Sequence, residues 1–157
     1  MRTCIIPGSF DPMTLGHRNV VERACRLFDR VVVAIMYNEA KKGRFSYEDR
    51  LEAARLTLKD LPAEITVKEG YLADFAAEIG ACAYVKGVRN AADLAYENNM
   101  AEFNAHRNPD CETVYLPADP GLSEISSTEV WRRLRNGEDV SAFLVPEAEA
   151  YLRSRMQ

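Results

Sequence analysis

The chain has 157 residues, 47% of them hydrophobic and 28% charged, with a net charge of −4. This is enough for one domain with a full core, expected to span residues 1–157, and the composition is that of an ordinary globular protein. The acidic balance argues against broad nucleic-acid binding, and no apolar run approaches the ~20 residues of a membrane span or forms a leader, so a cytoplasmic location without a membrane partner is expected.

The four cysteines (Cys4, Cys25, Cys82, Cys111) form no C-x-x-C pair, and His17 and His106 are the only histidines. A zinc site is poorly supported, and four reduced, mostly buried thiols are expected. No protein metal site is assigned.

Apolar strand-like runs alternate with helix-like segments along the whole chain. The first strand is read at Thr3–Ile6, and the first helix at Gly16–Phe28 with Val20, Val21, Ala24, Leu27 and Phe28 on one face. Between them, Pro7 to His17 carries two glycines and two prolines, which marks a loop. Val31–Met36 is apolar at every position, as in a central parallel strand covered on both faces. A basic loop, Asn38 to Arg44, follows it.

Ser46 and Asp49 are spaced as a capping box at the start of a second helix, whose Tyr47, Leu51, Ala54 and Leu58 share a face. Ile65–Val67 reads as a short strand. Leu72, Phe75, Ala76 and Ile79 mark a third helix closed by Gly80. Cys82–Val85 is the fourth strand, with Lys86-Gly87-Val88-Arg89 read as the loop at its carboxyl end. A long helix runs from Ala91 to His106, and Thr113–Leu116 is the fifth strand. Pro117 to Glu124 is a loop. Ser126 and Glu129 repeat the capping-box spacing at a helix that Gly137 closes, and Pro146 suits the first turn of a last helix.

This alternation implies a Rossmann-like α/β fold: a doubly wound, five-stranded parallel sheet with helices on both faces. Ligands of such folds bind outside the carboxyl ends of the strands, where strand order reverses. The loops at 7–17, 38–44, 86–89 and 117–128 all fall at such ends. Together they offer Ser9, His17, Lys41, Lys42, Arg44, Lys86, Arg89, Ser126, Ser127 and Thr128: cations and hydroxyls, without a nucleophile–base pair. Such a set suits phosphate chemistry, which depends on positioning and charge stabilisation. The first turn of a helix adds free N–H groups for an anion. A protonated or hydrogen-bonding His17 would steady charge on the reacting phosphate. Asp11, before Pro12, is read as a turn residue. No Walker sequence occurs.

Three of these segments carry a family resemblance. Pro7 through His17, ending Thr14-Leu15-Gly16-His17, resembles the T-x-G-H signature of nucleotidyltransferases, and Ile125-Ser126-Ser127-Thr128 resembles their second signature. Lys86-Gly87-Val88-Arg89, followed by Asp93 and Tyr96-Glu97, is similar to the stretch specific to the bacterial phosphopantetheine adenylyltransferase family. The likeness covers about residues 3 to 150.

The resemblance implies transfer of AMP from ATP to 4′-phosphopantetheine, with Mg²⁺ as cofactor, giving dephospho-CoA and pyrophosphate in the penultimate step of coenzyme A synthesis. It implies His17, Lys41 and Arg89 as catalytic residues. Ser9, Lys41, Leu72 and Lys86 would meet the pantetheine substrate. Ser9, Phe10, His17, Gly87, Val88, Arg89, Glu97, Leu122, Ser123, Glu124, Ile125, Ser126, Ser127 and Thr128 would line the ATP site. It also implies a homohexamer and feedback binding of CoA.

The chain departs from the family pattern with Ser9 for Thr, Lys86 for Arg, Leu122 for a frequent aromatic and Thr128 for Ser. Lys86 keeps the charge but loses the planar fork. A sister cytidylyl- or adenylyltransferase and a catalytically silent nucleotide or CoA sensor are the competing readings.

Overall fold

The computed structural model describes residues 1–156. Its strands are β1 (Thr3–Gly8), β2 (Arg30–Tyr37), β3 (Ala63–Glu69), β4 (Ala83–Val88) and β5 (Glu112–Pro117). The helices are α1 (Leu15–Leu27), α2 (Tyr47–Leu58), α3 (Leu72–Ile79), α4 (Ala91–Arg107), α5 (Ser127–Arg135) and α6 (Pro146–Arg155). All strand pairs are parallel, in the order β3-β2-β1-β4-β5, so the expected fold class holds and the order reverses between β1 and β4.

The apolar run in β2 serves both faces of the sheet. Val31, Val33 and Ile35 join Val20, Val21 and Ala24 of α1 and Ala54 and Leu58 of α2 in one core. Val32 and Ala34 face the other way, against Leu72, Phe75 and Ala76 of α3. A third cluster seats α5 and α6 on Phe45 and Ala53.

The strands run longer than their apolar runs, and β1 takes in Pro7 and Gly8, which the sequence places in the first loop. β3 spans Ala63–Glu69, and β4 continues to Val88, so Lys86, Gly87 and Val88 lie on a strand instead of in a loop. Ladder hydrogen bonds with β5, Lys86 opposite Tyr115 and Gly87 opposite Leu116, extend β4 beyond the point where hydrophobicity stops.

The two expected capping boxes are half formed. Ser46 Oγ accepts from the Asp49 N–H, but the Asp49 carboxylate turns to the Tyr151 hydroxyl (2.8 Å) and Arg155 (2.9 Å). Ser126 Oγ accepts from the Glu129 N–H, while Glu129 pairs with Arg132 and Arg133. The complete box belongs to α1, with Thr14 as its N-cap and His17 in the position usually held by Glu or Gln. Gly80 closes α3 in the left-handed conformation (φ 66°), as its place in the sequence suggests.

β1 pairs with β2 over its whole length, from Thr3↔Arg30 to Gly8↔Ile35, but with β4 only through Cys4↔Ala83 and Ile5↔Tyr84. Beyond those residues the two central strands share no ladder, and the cavity described next sits there. Gly87 lets the end of β4 pass under α1: a Cβ on it would lie 2.7 Å from Val20 Cγ2.

All four thiols are free. Burial, then the neighbouring Cys25, Cys82 and Cys111, pushes the Cys4 thiol up to about 12, which keeps it protonated and unreactive. No helix among the described residues is long and apolar enough to cross a membrane.

Candidate active site

A cavity of about 580 Å³ opens at the carboxyl ends of β1 and β4. Ser9, Phe10 and His17 line it from the first loop and α1. Lys86, Gly87, Val88, Arg89 and Glu97 line it from β4 and α4, and Leu122, Ile125, Ser126, Ser127 and Thr128 from the last loop and α5. Segments more than a hundred positions apart in the chain thus form one wall, because the strand reversal brings the ends of β1 and β4 side by side.

Lys41, Leu72, Ser123 and Glu124 lie outside that wall. Lys41 is exposed in the 38–44 loop, where its backbone N–H donates to the Asn38 carbonyl (3.2 Å). Leu72 is buried at the start of α3 on the opposite face of the sheet. Its neighbour Tyr71 packs its ring 5.5 Å from that of Phe103 on α4. Ser123 and Glu124 belong to the turn before Ile125.

His17 is held in one tautomer. Its Nδ1 accepts from the Thr14 backbone N–H (3.0 Å), so the proton of the neutral ring sits on Nε2. Phe10 stacks edge-on against the ring, centroids 5.0 Å apart. Burial, reinforced by the Arg89 guanidinium, lowers the His17 pKa to about 4. The ring is therefore neutral at pH 7 and offers Nε2–H as a donor, which decides between the two forms that the sequence left open.

The cations of β4 and its loop are already paired. Lys86 Nζ lies 2.6 Å from Glu97 Oε2, and Arg89 Nε lies 2.9 Å from Asp93 Oδ2. The hydrogen-bonded Asp93 holds the Arg89 guanidinium further above its usual value, and Arg89 holds the Asp93 carboxyl below its own. Arg89 Nη1 also donates to the Ile125 carbonyl (3.2 Å), which ties β4 to the α5 loop.

Asp11 proves to be the pin between the first loop and the segment that leads into α2. It is 8% exposed. Its Oδ2 accepts from the Arg44 N–H (2.7 Å) and its Oδ1 from the Phe45 N–H (2.9 Å). Arg50 Nη2 lies 3.2 Å from Oδ2. Arg50, 3% exposed, further donates to the Phe45 carbonyl (3.0 Å) and stacks 4.1 Å from the Tyr47 ring. A buried charge needs such complete pairing. Gly43 leaves the room: a Cβ there would fall 1.4 Å from Arg50 Nη2. Ser127 Oγ donates to the Pro12 carbonyl (2.8 Å), so the first loop also anchors α5.

Sequence reasoning missed Arg50, although a charge one position from the buried face of α2 was a usable signal. It also left out Asn19 and Asp119 as wall residues, whereas Arg44, named from the basic loop, does line the cavity.

A parallel sheet that opens at its switch point onto cations, hydroxyls and helix N-termini defines an α/β protein with a phosphate or nucleotide site. The cytidylyltransferase-like family model matches residues 5–133. A phosphopantetheine adenylyltransferase of Kocuria rhizophila is 46% identical over 149 residues, covering 94% of this chain and 95% of the relative. One from Caldanaerobacter subterraneus subsp. tengcongensis is 38% identical over 151 residues, covering 96% and 94%. The chain belongs to the phosphopantetheine adenylyltransferase family. Among solved structures, a Plasmodium falciparum nicotinic acid mononucleotide adenylyltransferase complexed with NaAD superposes with a TM-score of 0.73 at 16% identity, covering 98% of this chain and 95% of the other, which shows a shared fold.

Proposed function

We propose that this protein transfers the adenylyl group of ATP to the phosphate of 4′-phosphopantetheine. A phosphate oxygen of the acceptor attacks the α-phosphorus, a new P–O–P linkage forms, and the bond to the β-phosphate breaks. The products are dephospho-CoA and pyrophosphate. The observation that carries this reading is the neutral, tautomer-locked His17 beside Arg89 in a cavity that also holds the first turn of α5.

Transfer of this kind needs no covalent enzyme intermediate; positioned donors suffice. His17 Nε2–H donates to a non-bridging oxygen of the α-phosphate, where charge builds up in the transition state. Arg89 supports the same phosphate. The Thr128 hydroxyl and the free N–H groups of the α5 first turn, those of Ser127 and Thr128 among them, hold the outgoing phosphates. Ser9 and Lys86 meet the acceptor phosphate, and binding draws Lys86 away from Glu97. Lys41 joins them when the 38–44 loop moves inward. The pantetheine arm runs toward Leu72, along the α3–α4 junction where Tyr71 meets Phe103 and where the buried Asn104 Oδ1 has no partner among the described residues.

Mg²⁺ is carried as part of the same reading. The acids around the cavity are engaged: Asp93 by Arg89, Glu97 by Lys86, Asp119 by Asn19 and Arg23, Asp11 by Arg50 and two backbone N–H groups. The Ser9 hydroxyl, which remains, fits an ion held chiefly by nucleotide phosphates and water. Bound there, the ion would supply neutralisation of phosphate charge. A homohexameric assembly, a cytoplasmic location and feedback binding of CoA at this cavity complete the proposal.

Pyrophosphate release from the purified protein tests it, with ATP, Mg²⁺ and 4′-phosphopantetheine against controls with CTP and with unphosphorylated pantetheine. Release only with ATP and the phosphorylated arm is expected. Release with another nucleotide or acceptor moves the protein to a sister reaction, and binding of ATP or CoA without release makes it a sensor.

A further inference from the structure

Three cationic side chains line the cavity, and they are not equivalent. Lys86 and Arg89 each face a carboxylate, at 2.6 Å and 2.9 Å. Arg44 has no carboxylate within 4.0 Å of its guanidinium among the described residues. It reaches the wall from the segment that follows β2, at the same end of the sheet. Its backbone N–H is fixed on Asp11 Oδ2, its Nη1 donates to the Asp11 carbonyl (3.0 Å), and its Nη2 donates to Thr128 Oγ1 (2.7 Å). Both side-chain partners are neutral oxygens, and a guanidinium has five N–H donors, so charge and donors remain available to an anion.

The position is as informative as the charge. Thr128 stands in the first turn of α5, whose N-cap Ser126 satisfies the Glu129 N–H (3.1 Å) and whose Ser127 Oγ is turned to Pro12. Arg44 is therefore an uncompensated cation fixed beside the helix end that faces the cavity. Its attachment on both sides lowers the entropy cost of ordering a long side chain on a ligand.

We propose that Arg44 contacts the β,γ-phosphates of ATP and the pyrophosphate they become, giving the site its preference for a triphosphate over a monophosphate. The proposal rests on the adenylyl-transfer reading and adds a phosphate-binding residue to it. During the reaction the electron pair of the breaking bond passes to the β-phosphate oxygen, and Arg44 stabilises the charge that collects there.

Three variants separate charge from architecture. Arg44→Gln can keep a hydrogen bond to Thr128 without charge, Arg44→Lys keeps charge without the fork, and Arg44→Met keeps neither. Calorimetry with inorganic pyrophosphate, ATP and AMP, and steady-state KM for each substrate, are measured on all three and on the wild type. Affinity for pyrophosphate and ATP is expected to fall about 10- to 100-fold in Arg44→Gln and Arg44→Met, and less in Arg44→Lys. AMP affinity and the KM for 4′-phosphopantetheine stay within about threefold. Equal losses for AMP and pyrophosphate would mean that Arg44 only braces the loop, and unchanged pyrophosphate affinity would overturn the proposal outright. A wild type that binds pyrophosphate but transfers no adenylyl group would sink the adenylyl-transfer reading instead, while the variants still decide what Arg44 binds.

Discussion

α1 and α4 flank the same cavity, and they are built in opposite ways. α1 buries Val20, Val21 and Ala24 in the main core, and the Leu15 N–H donates to the Phe143 carbonyl (2.8 Å). Its N-cap holds His17 in one tautomer. α4 is longer, yet of its residues only Asn104 is buried, and Leu94, Tyr96, Met100 and Phe103 are exposed. The groups that α4 and β4 bring to the cavity are held by ion pairs, Lys86 with Glu97 and Arg89 with Asp93. The difference teaches how the work divides. In the proposed reaction the His17 side is fixed by packing and backbone hydrogen bonds, which would cost no reorganisation at the moment of reaction. The β4–α4 side is held by ion pairs, which the phosphates of the proposed substrates could exchange.

The largest expected effect comes from removing the pin under the rigid side. Arg50→Met leaves the Asp11 carboxylate buried without its cation, and chemical denaturation should show a loss of about 3–5 kcal/mol. A loss under about 1 kcal/mol would mean that the two backbone N–H groups suffice for Asp11.

His17→Ala should lower kcat by about 10²–10³ with little change in ATP affinity, as read by single-turnover kinetics and calorimetry. A matched loss of ATP affinity would make His17 a binding group only.

His17 also makes stability depend on pH. Its folded pKa, about 4, lies below the ordinary 6.5, so the unfolded chain takes up this proton first as pH falls. The stabilising contribution is complete above pH 6.5 and is lost as pH drops from there toward 4. The loss at this one site is up to about 3 kcal/mol. Denaturation of wild type and His17→Gln between pH 7 and about 4 should show curves that converge toward the acid end. Parallel curves would assign the ring an ordinary pKa.

Gly87→Ala tests how closely the rigid side is fitted. The new methyl meets Val20 Cγ2 at 2.7 Å, and overpacking of this kind costs about 1–3 kcal/mol. Adding Val20→Ala should return part of the loss in a double-mutant cycle. Additive losses would show that the strain is taken up elsewhere.

The outline of this protein was legible because its signals are local. The apolar run at Val31–Val33, the Gly80 stop and the caps at Ser46 and Ser126 depend on neighbours a few positions away, and each stands where the pattern put it. The extension of β4 to Val88 was not legible, because its cause is the adjacent β5. Nor were the partners of the charged side chains. Arg44 meets Asp11 across 33 positions and Thr128 across 84, and no periodicity encodes such meetings. The sequence by itself determined an alternating α/β chain with cations, hydroxyls and one histidine at the strand ends. Only the tertiary structure decided which cations are neutralised, which tautomer His17 holds and which helix lies open, because those follow from strand order and from charges brought together across the switch point.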